Sequence, residues 1–364
     1  MSYREVSRVL IMAGGTGGHV VPALSLARAL RARGVSVEWL GSPRGIENRL
    51  VPAADIVLHR IQVAGLRGNG MAGWLLAPWR LAKAVWQARQ VIAKFDPQLV
   101  VGLGGFASGP GGLAAWLMRR RLIVHEQNAV AGMTNRYLSR LADGVYAAFP
   151  GAFGAHRAEV VGNPVRDDIA ALGETPRGSD ALRQRPLRLL VLGGSLGAQA
   201  LNTQVPQALA RLPAAQRPDV RHQAGRDKET ATQSVYAEAG VEAEVSAFID
   251  DMAAAYDWAD LIVCRAGALT IAELAAAAKP SILVPFPHAV DDHQTLNARQ
   301  LVDAGAARLM PQTQLTAESL AETLATLLEP ETLATMATSA RAQARLDAVE
   351  RLVAGCMEAN RDSQ

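Results

Sequence analysis

His19 stands directly behind a glycine run, where VLIMAGGTGGH (residues 9–19) passes from an apolar strand pattern into a helical one. RLLVLGGSLGA (188–198), which contains Ser195, repeats that arrangement, and VVGLGGFASGPGG (100–112) ends another apolar run in glycines. Glycine lets backbone N–H groups approach a ligand closely, and a following helix offers its positive end to an anion. Phosphate is the ligand class this pattern suits. An imidazole at a helix start is held neutral and can serve as a general base, although a packing or capping histidine fits the same place.

Other candidates also sit just beyond apolar runs. In HEQN, Glu126 and Asn128 follow a strand whose last residue is His125, and open parallel sheets bind ligands beyond the carboxyl ends of their strands. RAGALTIAE (265–273) puts Thr270 and Glu273 in the expected first turn of a helix, where a carboxylate either stabilises the helix start or accepts sugar or ribose hydroxyls. In PFPHAVDDHQTLN (285–297), Asp291 and Asp292 read equally well as helix caps ahead of His293 and Gln294. No D-x-D occurs, so a metal-bridged diphosphate of that kind has no support and helix ends and amides must neutralise a leaving group.

The elements that position these groups alternate. Strands are expected near 9–13, 35–40, 56–61, 99–102, 122–125 and 144–147, with helices over 22–33, 74–93 and 133–141. The first βαβ unit implies a parallel sheet and a Rossmann-like α/β domain. Residues 167–186, rich in glycine, proline and mixed charge, read as an exposed connection. Strands resume near 187–192, 220–223, 245–249, 261–264, 281–285 and 308–310, and the tail beyond 320 is helical.

With 364 residues and 49% hydrophobic content, two folded domains are expected. A net charge of +3 suits anionic small molecules or an anionic membrane surface and is too weak to argue for nucleic acid. Cys264 and Cys356 lack the spacing of a zinc site or disulfide framework, and no secretory signal is read, so the cytoplasm is expected. MAGWLLAPWRLAKAVWQAR (71–89) mixes Trp74, Leu75, Trp79 and Trp86 with Arg80 and Lys83, as an interfacial membrane helix requires; an ordinary core-facing helix is the alternative. Trp116 with Arg119, Arg120 and Arg121 extends that reading.

GGTGGH, GIENRLVP, GLGGFASGPGG, HEQNAVAGMTNRYL, GNPVR, GGSLGA, RAGALTIAE and PFPHAVDDHQTLNA, in this order across nearly the whole chain, resemble the MurG family of N-acetylglucosaminyltransferases. The resemblance implies a GT-B fold, with two Rossmann-like parallel-sheet domains facing a deep cleft: an acceptor and membrane-facing domain over 1–165, a donor domain over 166–340, and a helix over 341–364 returning to the first. It implies a hexosyltransferase without a cofactor or metal that moves N-acetylglucosamine, with inversion, from UDP-GlcNAc to the muramoyl C4 hydroxyl of lipid I. The products are lipid II and UDP.

Carried over by motif, the donor contacts would be Thr16, Gly17, Gly18, Asn128, Arg166, Ser195, Ile249, Ala268, Leu269, Thr270, Ile271, Ala272, Glu273 and Gln294, with His293 the alternative to Gln294. Within that set the backbone of Ile249 would hold uracil, Glu273 the ribose, and the amides of Leu269 and Thr270 the diphosphate. Gly14, Gly15, Gly104 and Gly105 would hold the acceptor diphosphate. His19 is the first choice for the base; Glu126 is the second, as base or as the group that orients the imidazole. The resemblance also implies lodging on the cytoplasmic face of the inner membrane, with cell-wall synthesis proteins of growth and division as partners. Rivals are another GT-B enzyme such as a UDP-sugar epimerase, an oxidoreductase disfavoured by its broken G-x-G-x-x-G fingerprint, and a nucleotide-sugar-binding membrane scaffold.

Overall fold

The computed structural model describes residues 6–63, 77–154, 158–194, 197–287 and 289–358. The chain divides into two compact units, Met1–Pro164 with Leu346–Gln364, and Val165–Arg345.

In the first unit β1 (Arg8–Met12), α1 (Gly17–Arg31), β2 (Ser36–Gly41), α2 (Glu47–Leu50), β3 (Val57–Arg60), α3 (Ala77–Phe95), β4 (Leu99–Gly102), α4 (Ser108–Leu117), β5 (Arg121–Glu126), α5 (Met133–Leu138), β6 (Gly144–Ala147) and β7 (Glu159–Val160) follow one another. All seven strands are parallel, in the order β3-β2-β1-β4-β5-β6-β7. Side chains alternate across a strand, so Val9 and Ile11 enter one apolar cluster while Leu10 and Met12 enter another on the opposite face. Burial on both faces explains why the central strands read as unbroken apolar runs.

The helix expected over 22–33 starts at Gly17, with Pro22 inside it. Pro22 sits near the helix start, so the missing amide removes only one early hydrogen bond. β7 carries no apolar run and was not legible as a strand.

The second unit contains α6 (Asp167–Ala170), α7 (Ser179–Arg183), β8 (Arg188–Leu192), α8 (Gln199–Arg211), β9 (Asp219–Gln223), α9 (Glu229–Glu238), β10 (Glu244–Ser246), α10 (Met252–Trp258), β11 (Leu261–Cys264), α11 (Ala268–Ala276), β12 (Ser281–Leu283), α12 (His293–Asp303), β13 (Ala307–Leu309), α13 (Ala317–Leu327) and α14 (Pro330–Ala342). Its six parallel strands run β10-β9-β8-β11-β12-β13. The last helix, α15 (Ala348–Met357), belongs to the first unit: it packs on α1 and adds Leu352, Val353 and Cys356 to that core. Arg121 donates to its terminal carbonyls at Gly355 (2.7 Å) and Cys356 (3.0 Å), which satisfies acceptors that a helix end leaves open.

Strand order reverses direction between β1 and β4 in one sheet and between β8 and β11 in the other. At such a switch point the connections leave toward opposite faces and open a crevice beyond the strand ends. The glycine loops and RAGALTIAE follow those four strands.

The segment 167–186 is not an exposed connection. Its short helices bury Ile169 and Leu182, and Arg177 and Arg185 reach the fully buried carboxylate of Asp260. Asp260 accepts from Arg185 Nη1 (2.7 Å) and Nη2 (2.9 Å), Arg177 Nη1 (3.2 Å) and the Arg188 amide (3.0 Å). Removing that carboxylate takes the only carboxylate from Arg185 among the described residues, one of two from Arg177, and the acceptor of the Arg188 amide. Asp260→Ala should cost about 3–5 kcal/mol of unfolding free energy, measured by urea denaturation; a loss below about 1 kcal/mol would mean the clamp contributes little.

Candidate active site

The loop after β1 is shaped by a carboxylate that sequence reasoning assigned no role. Glu47, fully buried at the start of α2, accepts from the amides of Gly15 (2.9 Å) and Ser42 (3.2 Å) and from Ser42 Oγ (2.7 Å). The Gly15 amide is therefore already used, which corrects its expected place in an anion cradle. The uncommitted donors of this loop move one step along, to the first turn of α1. Thr16 is its N-cap and no side chain caps it, so the leading amides around Gly17 and Gly18 lack intrahelical acceptors. Gly14, Gly104 and Gly105 are required by packing: a Cβ on Gly105 would meet the Gly14 backbone, and one on Gly104 (φ +100°) would lie 2.8 Å from His19 Nδ1.

His19 is the third residue of α1, and its Nδ1 lies 2.8 Å from Gln127 Oε1. Among the described residues its Nε2 meets no hydrogen-bond partner. Gln127 is buried and its Nε2 faces both Nδ1 (3.0 Å) and the carbonyl oxygen (3.2 Å) of His125. His125 is buried in turn, with Nε2 2.9 Å from the Gly162 carbonyl oxygen, and burial lowers its pKa to about 4, so it is neutral.

Glu126 points elsewhere. It is 2% exposed and accepts from the amides of Asn128 (2.9 Å) and Gly132 (3.2 Å) and from the side chains of Asn128 (3.2 Å) and Asn135 (2.9 Å). Both oxygens are occupied in folding the loop after β5, and the imidazole is held by Gln127 instead. The geometry gives Glu126 neither role expected of it. Gln127 was missed because its role comes from lying between His19 and His125, a contact across 108 residues that sequence spacing does not show.

In the second unit, α11 opens at Gly267 with no side-chain cap, and its first internal bond is the Ile271 amide to Gly267 O (2.9 Å). The amides of Leu269 and Thr270 precede that bond, in the uncapped turn that follows β11, an arrangement suited to an anion. Ala268, Ile271 and Ala272 belong to the same turns. Glu273 is not in the first turn as expected but one turn deeper, where it accepts from Tyr256 Oη (3.0 Å). It is therefore not a helix-start acid. Burial pushes its pKa up to about 7, against the Tyr256 hydrogen bond and the positive charge of Arg166, which pull it down.

Arg166 is the N-cap of α6. Ile249 follows β10 instead of ending it, in the loop before α10. Gln294 Oε1 accepts from the Phe286 amide (2.8 Å), pinning the PFP loop to α12, which His293 begins. Asp291 and Asp292 both have left-handed backbone (φ 55° and 48°), and Asp292 is the N-cap of α12 without a side-chain cap bond. Ser195, Trp74 and Leu75 lie outside the described residues.

On α3 the buried face is Ala84, Val85, Ala88 and Ile92, while Trp79 (72% exposed) and Trp86 (59%) share the outer face with Arg80 and Lys83. The core-facing alternative fails for these tryptophans. Trp116, on the adjacent α4, is also exposed, but Arg120 pairs with Asp96 and Arg121 caps α15, so these two cations do not extend the patch. Among the described residues no helix is long and apolar enough to cross a membrane.

Two parallel sheets with anion-suited loops at their switch points define a family that models of its halves identify. The glycosyltransferase family 28 N-terminal domain matches residues 9–147 and its C-terminal domain residues 188–352. An Alkalilimnicola ehrlichii protein named UDP-N-acetylglucosamine--N-acetylmuramyl-(pentapeptide) pyrophosphoryl-undecaprenol N-acetylglucosamine transferase is 57% identical over 96% of this chain and 98% of its own. Its Marinobacter nauticus namesake is 56% identical, over 97% of each. The crystal structure of Acinetobacter baumannii MurG superposes with a TM-score of 0.81 at 42% identity, over 96% of this chain and 98% of that one. The chain belongs to this MurG family of glycosyltransferases.

The position of Glu273 makes a stability prediction. Its folded pKa lies above its unfolded value of 4.5, so folding is favoured most below that value and the contribution is lost as pH rises through about 7. Glu273→Gln should therefore gain on the parent chain by about 1–3 kcal/mol between pH 4 and pH 8 in ligand-free urea denaturation. A gap that does not change with pH would place the carboxylate in water.

Proposed function

We propose that this chain is an inverting N-acetylglucosaminyltransferase that moves N-acetylglucosamine from UDP-GlcNAc to the C4 hydroxyl of the muramoyl sugar of lipid I, giving lipid II and UDP. Relatives more than half identical along nearly the whole chain carry that activity in their names, and the epimerase alternative is not favoured. The observation that carries the chemistry is His19, held at the β1/β4 switch point with Nδ1 tied back to Gln127.

In the reaction, the acceptor hydroxyl oxygen bonds to the anomeric carbon as the C1–O bond to the β-phosphate breaks. The hydroxyl proton passes to His19 Nε2, and the electron pair of the broken bond leaves on UDP. Developing charge on the β-phosphate is met by the amides of Leu269 and Thr270 at the uncapped start of α11, a term that dominates in such displacements. Glu273 accepts ribose hydroxyls, Ile249 holds uracil through its backbone, and Arg166, Asn128 and Gln294 complete the donor contacts. Thr16, Gly17 and Gly18 also serve the donor, and the acceptor diphosphate meets the loops after β1 and β4 at Gly14, Gly104 and Gly105.

The outer face of α3 rests on an anionic membrane, where tryptophan settles at the headgroup level and Arg80 and Lys83 meet lipid phosphate. That keeps the enzyme peripheral on the cytoplasmic face of the inner membrane, beside the lipid-linked acceptor and the proteins of cell-wall growth and division.

Radiolabelled UDP-GlcNAc with a lipid I analogue tests the reaction: label should appear in the lipid product, and epimerised sugar or no turnover would refute it. His19→Ala should lower kcat by about 10²–10⁴-fold with little change in donor KM, and an unaltered kcat removes His19 from the base role. Replacing Trp79 and Trp86 with alanine should cut sedimentation with vesicles of anionic phospholipid while activity on a soluble acceptor persists. Undiminished vesicle binding would move the membrane face elsewhere.

A further inference from the structure

Gln127 and His125 lie behind His19 as a chain of hydrogen bonds that ends on a backbone carbonyl, and the end of that chain determines every proton in it. The Gly162 carbonyl oxygen only accepts, so His125 Nε2 carries hydrogen and donates (2.9 Å). His125 is buried and neutral, which leaves Nδ1 with a lone pair. That lone pair and the His125 carbonyl oxygen both face one end of the Gln127 amide, at 3.0 and 3.2 Å, so this end is the NH₂ group. Two acceptors on the same side fix the amide orientation. The opposite end is then the oxygen, which lies 2.8 Å from His19 Nδ1 and can only accept.

We propose that Gln127 and His125 are positioning residues that hold His19 as the tautomer with its proton on Nδ1 and its lone pair on Nε2, the form able to take a proton from an acceptor hydroxyl. This rests on the reading of His19 as the base. The Gln127 carbonyl also supports the imidazolium formed when Nε2 is protonated, since Nδ1–H keeps its acceptor throughout. Unlike a carboxylate, a neutral amide does this without placing a second buried charge beside the incoming diphosphate. Residue 127 is also fixed at its backbone, because Asn163 Nδ2 donates to the Gln127 backbone carbonyl oxygen (3.0 Å). Gly104 packs against the same imidazole, since a Cβ there would lie 2.8 Å from Nδ1.

The alternative state has a definite structure. With the Gln127 amide turned over, its NH₂ would face His19 Nδ1, which would need the lone pair there and would move the proton to Nε2. That form cannot act as a base toward substrate. A relay with no polarity of its own would populate both, and the Gly162 carbonyl is what breaks the tie.

The test is the ¹⁵N imidazole spectrum of the full-length chain labelled at histidine, with His19 assigned by the loss of its signals in His19→Gln. The parent should show His19 protonated on Nδ1 and bare on Nε2. Gln127→Leu should lose that preference and lower kcat on the order of 100-fold with donor KM little changed. Gln127→Glu, which keeps an acceptor toward His19, should retain the Nδ1–H signature. A parent His19 protonated on Nε2, or an unchanged tautomer in Gln127→Leu, overturns the proposal, and the first of these decides even if a variant fails to fold. An active His19→Ala enzyme would instead defeat the base reading while leaving the measured tautomer as it stands.

Discussion

Two buried carboxylates that pair with backbone amides hold the first unit's loops in place. Loops have little conformational preference of their own, least of all where they carry glycine, so something else must choose their shape. Glu47 does this for the loop after β1 through Gly15 and Ser42, and Glu126 for the loop after β5 through Asn128, Gly132 and Asn135. A carboxylate taken out of water needs several donors, and here those donors are the loop itself. Each loop can therefore adopt only the fold that satisfies its acid. His19 and Gln127 are placed by these two loops, one on each.

The second unit follows a different rule at the equivalent position. The start of α11 has no side-chain cap, and Glu273, one turn in, is desolvated with Tyr256 as its donor. Native helices and buried acids are ordinarily better satisfied than this. Unfilled donors and an under-solvated acceptor thus lie within one short helix. The first unit has the polar groups behind His19 paired off, while the second leaves polar demand unmet at the start of α11.

The α/β fold was legible because parallel strands buried on both faces leave apolar runs that end in glycine at the crevice. His19 was legible for the same reason, since it follows such a run directly. Glu47 was not: in GIENRLVP it looks like any acid in a polar turn, and its burial comes from β2 and the glycine loop closing over it. Gln127 and the depth of Glu273 likewise depend on which residues meet across the fold. Residues 167–186 have the composition of a linker, yet three contacts with Asp260 from arginines of that segment bind it to the second sheet. Composition alone does not register partners contributed from elsewhere in the chain.

The placement of α15 in the core of the first unit has a consequence for biogenesis. The second unit is continuous in sequence, so all of it has been synthesised before Leu352, Val353 and Cys356 are made. Until then the surface of α1 that they cover stays open to water, and the domain begun first is the one finished last. Order of synthesis and order of completion are thus reversed, and the half carrying His19 acquires its full core only after the second unit has been made.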